Sequence, residues 1–157
     1  PLIRSAGHED GRRAGTENVL ALVGLGAAAE LAKATLPEQM EHLSTLRDLL
    51  LTSLETQLGP LHVHGNLQGS LPNTLSVAFP GLPAAELLKS LGQQVAASPG
   101  AACHADGIAM SSVLSAMGVP MDLAVGTIRF SVGRAVARDQ VVAAAEIVAA
   151  AVKNHRS

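Results

Sequence analysis

"GTIRFSVGR", Gly126–Arg134, is the stretch that decides the fold class. Ile128, Phe130 and Val132 alternate with Arg129 and Ser131. A period of two places the apolar set on one face of a strand and Arg129 with Ser131 on the other. An apolar strand face has to be covered, and the flanking sequence supplies the cover. Downstream, "ARDQVVAAAEIVAAAVKNH", Ala137–His155, reads as an amphipathic closing helix. Upstream, "SSVLSAMG" reads as a helix capped by Ser111 and ended by Gly118-Val119-Pro120.

Further upstream the same texture continues. "LHVHG" (61–65), "NTLSVAF" (73–79) and "QQVAAS" (93–98) are short, with alternating apolar or β-branched residues, and read as three more strands. "PAAELLKSLG" (83–92) is a short helix closed by Gly92. Earlier, Thr16 is the expected N-cap of a helix in "GTENVLALVGLGAAAELAKAT" (15–35), with Glu17 favouring its first turn. Pro37 is expected to start a second helix, whose buried stripe is Leu43, Leu46, Leu50 and Leu54 and whose stop is Gly59-Pro60. Residues 1–15 read as a polar, glycine-rich arm. Strands and helices interleave, so the class is α/β or α+β, a small sheet covered by helices.

Composition narrows the functions. The 157 residues suit one domain with a substantial core. Only 1% of residues are aromatic, so the core is aliphatic and a single-stranded nucleic-acid platform lacks stacking rings. A net charge of −2 argues against a phosphate-backbone partner. One cysteine excludes an internal disulfide and a thiolate-rich zinc site, and fits a reducing, cytoplasmic compartment. No unbroken apolar run approaches the roughly 20 residues a bilayer requires, so a soluble chain is expected. The chain begins without Met, in a Gly/Arg-rich segment, and is expected to be a piece of something longer.

The residues that carry chemistry are few. Cys103, in "SPGAACHADG" (98–107), stands among small residues, where an exposed mobile loop is expected. An unpaired cysteine is most often a small buried hydrophobe, but His104 and the helix opening at Ser111 both favour a thiolate if the fold brings them near. Pro99 stiffens the start of this segment. Arg129 is either a solvated strand residue or a guanidinium fork for a carboxylate; Arg134, at the strand end, is the weaker candidate. "RRAGT", with Arg13, Gly15 and Thr16 before a helix, is either simple capping or an anion site. His62 and His64 share a strand face but lack a clustered third ligand for zinc.

Several stretches together resemble one family. "GHEDGRRAGTENV", "LPNTLSVAF", "SPGAACHADG", "VLSAMGVP" and "IRFSVGR" stand in the order and spacing of the C-terminal part of the pyridoxal-phosphate-dependent cysteine desulfurases and selenocysteine lyases. "GAACH" before a helix ending in "GVP" is most similar to the lyase-like branch. The resemblance implies the small C-terminal domain (16–157) of a fold type I enzyme, with a mostly antiparallel sheet and an arm (1–15) leading into it. It implies that Cys103 is the nucleophile attacking the sulfur or selenium of L-cysteine or L-selenocysteine, with L-alanine as the other product. Arg129 would hold the substrate carboxylate and Thr16 the cofactor phosphate, across a homodimer. His8 and Arg13 lie in the same arm, and Asn73 fits a structural strand position. A sulfur or selenium acceptor protein is the implied partner.

The family's cofactor lysine follows a histidine in a "Ser-x-His-Lys"-type stretch of the larger domain. None of Lys33, Lys89 and Lys153 has that neighbourhood, so this chain alone is not expected to catalyse. Two other readings share the fold: a non-catalytic interaction domain that docks a sulfur carrier, and an aminotransferase-like relative that uses Arg129 but not the thiol.

Overall fold

The computed structural model describes the backbone of residues 8–104 and 107–156, and the side chains of these apart from 101–104 and 107–109. The chain divides into two units, Pro1–Pro37 and Glu38–Ser157. In the first, His8 and Arg13 form an isolated antiparallel bridge around a tight turn, and Arg13 is ion-paired with Glu17. Helix α1 (Val19–Leu58) begins here and continues into the second unit.

Two expectations about this region are corrected. The helix is capped by Asn18, whose Oδ1 accepts from the Ala21 N–H at 3.1 Å, and not by Thr16. An Asn side chain two residues further on meets the same orphan N–H groups. Pro37 lies inside α1 and does not start a new helix. Its missing N–H forfeits one ladder bond, but the Ala, Leu, Glu, Gln and Met residues on either side are strong helix formers that carry the helix through. In addition, an 18-residue window of α1 averages a hydropathy of 1.6 and is exposed, so by length and composition this helix could cross a membrane. Gly24, Gly26, Glu30 and Lys33 interrupt its apolar residues, so the stretch does not read as an unbroken apolar run.

The second unit holds β1 (His62–Val63), β2 (Thr74–Ala78), α2 (Ala84–Leu91), β3 (Ser98–Pro99), β4 (Ala101–His104), β5 (Gly107–Met110), α3 (Ser112–Ala116), α4 (Met121–Val125), β6 (Thr127–Ser131) and α5 (Arg138–Arg156). Four strands form an antiparallel sheet in the order β1-β2-β6-β3. Strand β6 is central, with Ile128 opposite Val77 and Phe130 opposite Leu75. The alternation read from "GTIRFSVGR" holds: Ile128 and Phe130 are buried, Arg129 and Ser131 exposed. The buried face packs on Leu46, Leu50 and Leu54 of α1, Leu87 and Leu91 of α2, and Val141, Ala145, Val148 and Val152 of α5. This is the helix-covered antiparallel sheet expected.

Helix ends follow the local signals. Gly59 and Gly92 take positive φ (81° and 56°) and donate back to Glu55 and Leu88, closing α1 and α2. Lys153, His155 and Arg156 sit in the last turn of α5, at the negative end of its dipole. Ser111 caps α3 as expected, its hydroxyl accepting from the Val113 N–H at 3.2 Å.

Strand β3 is shorter than the reading of 93–98, because Gln93 and Gln94 complete the turn that ends α2, the Gln94 N–H bonding to the Leu91 carbonyl at 3.1 Å. Pro99 pairs with Ile128 from an edge strand, where a residue without N–H is tolerated. The segment around Cys103 is also corrected, from a loop to the hairpin β4–β5. The Ser111 N–H donates to the Gly100 carbonyl at 3.1 Å, closing the hairpin at its base and favouring antiparallel pairing above it. The expected mobility of the tip, residues 105–106, and the Cys103 side chain lie outside the described residues.

Candidate active site

The sheet face opposite the helices carries the site. Along β2, Thr74 and Ser76 point to this face while Leu75 and Val77 are buried on the other. Arg129 stands directly opposite Ser76 and, on its other side, opposite Ser98. Beside them lies a cavity of about 310 Å³, lined by Arg129, Thr74, Ser76, Ser111 and His64 on its polar side. Leu67, Leu71, Val113, Leu114 and Met117 are among its apolar lining.

Among the described residues Arg129 is the one Lys or Arg on the wall of this cavity. It is exposed and forms no ion pair among the described residues. A guanidinium held on a strand, flanked by serine hydroxyls and backed by aliphatic side chains, suits a small anionic group carried on a small molecule.

Gly100 and Ser111, the two ends of the β4–β5 hairpin, also line the cavity. The structure therefore brings the hairpin that carries Cys103 to the cavity that holds Arg129. Within the hairpin, Cys103 pairs with Ile108. Thr16 is exposed and belongs to the other unit. Arg13, expected with it in an anion site, is paired with Glu17. Arg134 is exposed and does not line the cavity. Asn73 does structural work: its carbonyl accepts from the Val132 N–H at 2.9 Å, and its Oδ1 from the Thr74 hydroxyl at 3.2 Å.

His64 is a residue to which the sequence assigned no role: it shares a strand face with His62, and the pair lacks a clustered third ligand for zinc. The two rings meet edge to face, centroids 5.0 Å apart, and His64 is only 7% exposed. Its Nε2 lies 2.8 Å from the Thr127 Oγ1. That hydroxyl donates its one proton to the Leu123 carbonyl at 2.8 Å, so Nε2 must carry hydrogen and Nδ1 is the unprotonated nitrogen of the neutral ring. Burial, and secondarily the neighbouring His62, lower its affinity for a second proton. Thr127, fully buried on β6, was also missed. Its position on the Arg129 face was legible from the strand period, but its partner 63 residues away was not.

Comparison with known proteins decides the family. Residues 3–143 match the model of the aminotransferase class-V family. The chain belongs to that family. A cysteine desulfurase of Gluconacetobacter diazotrophicus is 44% identical over 135 residues, which are 85% of this chain and 34% of that protein. A cysteine desulfurase IscS of Dictyoglomus turgidum is 37% identical over 85% of this chain and 34% of its own length. A solved NifS-like protein superposes with a TM-score of 0.82 at 33% identity, covering 98% of this chain and 39% of the other. The class-V chain thus spans about a third of the length of the curated relatives it matches.

Class-V enzymes of the desulfurase kind depend on pyridoxal phosphate. Among the described residues no lysine lines the cavity beside Arg129; Lys33 lies on α1, Lys89 on α2 and Lys153 on α5. The described residues therefore fit a small carboxylate but not a cofactor anchored by a Schiff base.

Proposed function

We propose that this chain supplies the nucleophile and the substrate-carboxylate site of a pyridoxal-phosphate-dependent cysteine desulfurase. The observation that carries the reading is the meeting, at one small cavity, of Arg129 and both ends of the Cys103 hairpin. Arg129 orients L-cysteine through its carboxylate. The Cys103 thiolate attacks the substrate sulfur; an S–S bond forms and the substrate C–S bond breaks. The electron pair of that bond stays with carbon, which takes up a proton. Thiol plus L-cysteine become persulfide plus L-alanine, with no external oxidant or reductant. Thiolate nucleophile and fixed cation are the two parts this chemistry asks of the protein here.

The cofactor comes with the family, and Thr16 is assigned to its phosphate across a homodimer. A single cysteine suits the reducing cytoplasm, and a persulfide on a hairpin suits transfer to an acceptor protein. The lyase-like "GAACH" motif favours L-selenocysteine as a second substrate, whereas the curated relatives are named for cysteine.

The test uses the full-length protein loaded with cofactor. Alanine release and persulfide on Cys103 are followed by mass spectrometry, with L-cysteine and L-selenocysteine in parallel. Cys103→Ser is expected to abolish persulfide, and Arg129→Gln to lower kcat/KM about 100-fold, the scale of a lost charge-assisted contact of about 2–3 kcal/mol. A Cys103→Ser enzyme that still turns over L-cysteine would assign the aminotransferase-like reading instead. Inactivity of the loaded wild type would leave the interaction domain.

A further inference from the structure

The base of the hairpin that carries Cys103 packs directly against a buried residue, Thr127. Thr127 accepts the Gly100 N–H at 2.7 Å through its own carbonyl. Its side chain fills the space directly against Gly100, where an added Cβ would come within 2.6 Å of both Cβ and Cγ2. The Gly100 carbonyl in turn receives the Ser111 N–H, so both ends of the hairpin are tied to one point. The position of Thr127 is itself set from two sides. Its hydroxyl donates to the Leu123 carbonyl in α4 and accepts from Nε2 of His64, which follows β1. The Thr127 hydroxyl has one proton and spends it on Leu123, so only a ring that carries hydrogen on Nε2 completes the arrangement.

From this geometry we infer that His64 and Thr127 are positioning residues for the nucleophile, acting through Gly100 on the hairpin that carries Cys103. The inference rests on the desulfurase reading for its meaning, since it gives Cys103 something to be positioned for. Neither residue lies on the hairpin itself. They hold the strand end from which the hairpin departs, and so the base on which the Cys103 backbone is set.

The test is run on the full-length protein with four variants. Thr127→Val keeps the shape and removes the hydroxyl, and His64→Asn leaves an amide too short to reach Thr127. Thr127→Ser and His64→Gln retain the hydroxyl and the donor. Iodoacetamide alkylation of Cys103, followed by peptide mass at constant pH, reads the presentation of the thiol without cofactor or substrate. The Val and Asn variants are expected to shift the alkylation rate constant about fivefold, the population change that follows loss of one buried hydrogen bond. The Ser and Gln variants should stay within about twofold, and persulfide formation should change in the same order across the four.

Val and Asn variants that are folded and alkylate at the wild-type rate would overturn the inference. So would four variants that shift alike, or Val and Asn variants that simply unfold, since each outcome makes the pair a packing contact. A wild type that alkylates normally but forms no persulfide sinks the desulfurase reading alone.

Discussion

Replacing Gly100 by alanine tests the packing at the hairpin base most directly. The backbone at Gly100 is not in the left-handed region, so alanine incurs no conformational strain there. The cost is steric. The new methyl would stand 2.6 Å from Thr127 Cβ and Cγ2 and 2.8 Å from Leu114 Cδ1. Leu114 Cδ1 is the end of a flexible side chain and can move. Thr127 Cβ cannot, because it is fixed to the central strand, and its hydroxyl is held by two partners. Relief requires Gly100 to draw back from β6, which lengthens the 2.7 Å bond between its N–H and the Thr127 carbonyl. Overpacking of about 1–3 kcal/mol plus about 1 kcal/mol for the weakened bond gives a loss of about 2–4 kcal/mol. In urea, with a slope of about 1–3 kcal/mol per molar, the midpoint should fall by about 1 M or more. Gly133→Ala is the control, since nothing lies within 4 Å of its added Cβ, and it should shift stability by no more than about 0.5 kcal/mol. A Gly100→Ala protein with the wild-type midpoint and slope would refute the claim that β6 and the hairpin base are in rigid contact.

Two further outcomes concern the core and the buried histidine. Leu54 is fully buried in the helix layer, and Leu54→Ala should cost about 2–5 kcal/mol by urea titration, with the spread set by how far the cavity collapses. The native state holds His64 below its ordinary value of 6.5, through burial first and His62 second. On acidification the unfolded chain therefore binds a proton that the native ring resists. The His64 contribution is complete above the unfolded value and is lost as pH falls through it toward the lower native one. Comparing urea midpoints near pH 7.5 and near pH 5.5, His64→Gln should show a smaller acid loss than wild type; an equal or larger loss would contradict the buried neutral ring.

How much of this was legible in the chain depends on the range over which each force acts. Period-two alternation at Ile128 and Phe130 against Arg129 and Ser131 is a property of consecutive residues, and it survived intact in β6. The Ser111 cap and the stops at Gly59 and Gly92 are equally local, each settled within one helical turn. Local signals also misled. Thr16 and Pro37 carry the right chemistry for a helix start, but Asn18 caps more effectively at its position and the residues around Pro37 sustain the helix despite the lost bond. The small residues around Cys103 resemble a loop, and it took closure between Gly100 and Ser111 to make them a hairpin.

By itself the sequence determined which faces are apolar, which residues cap or stop, and which side chains have the charge or nucleophilicity for chemistry. Those properties reside in single residues and their near neighbours. Only the tertiary structure decided that β6 lies between β2 and β3, that Arg129 faces Ser76 across the ladder, and that His64 reaches Thr127 beneath the Cys103 hairpin. Each of these joins residues far apart in the chain. Such contacts form when burial of the sheet's other face against α1, α2 and α5 offsets the entropy of closing the intervening loops, and no stretch of neighbouring residues encodes that balance.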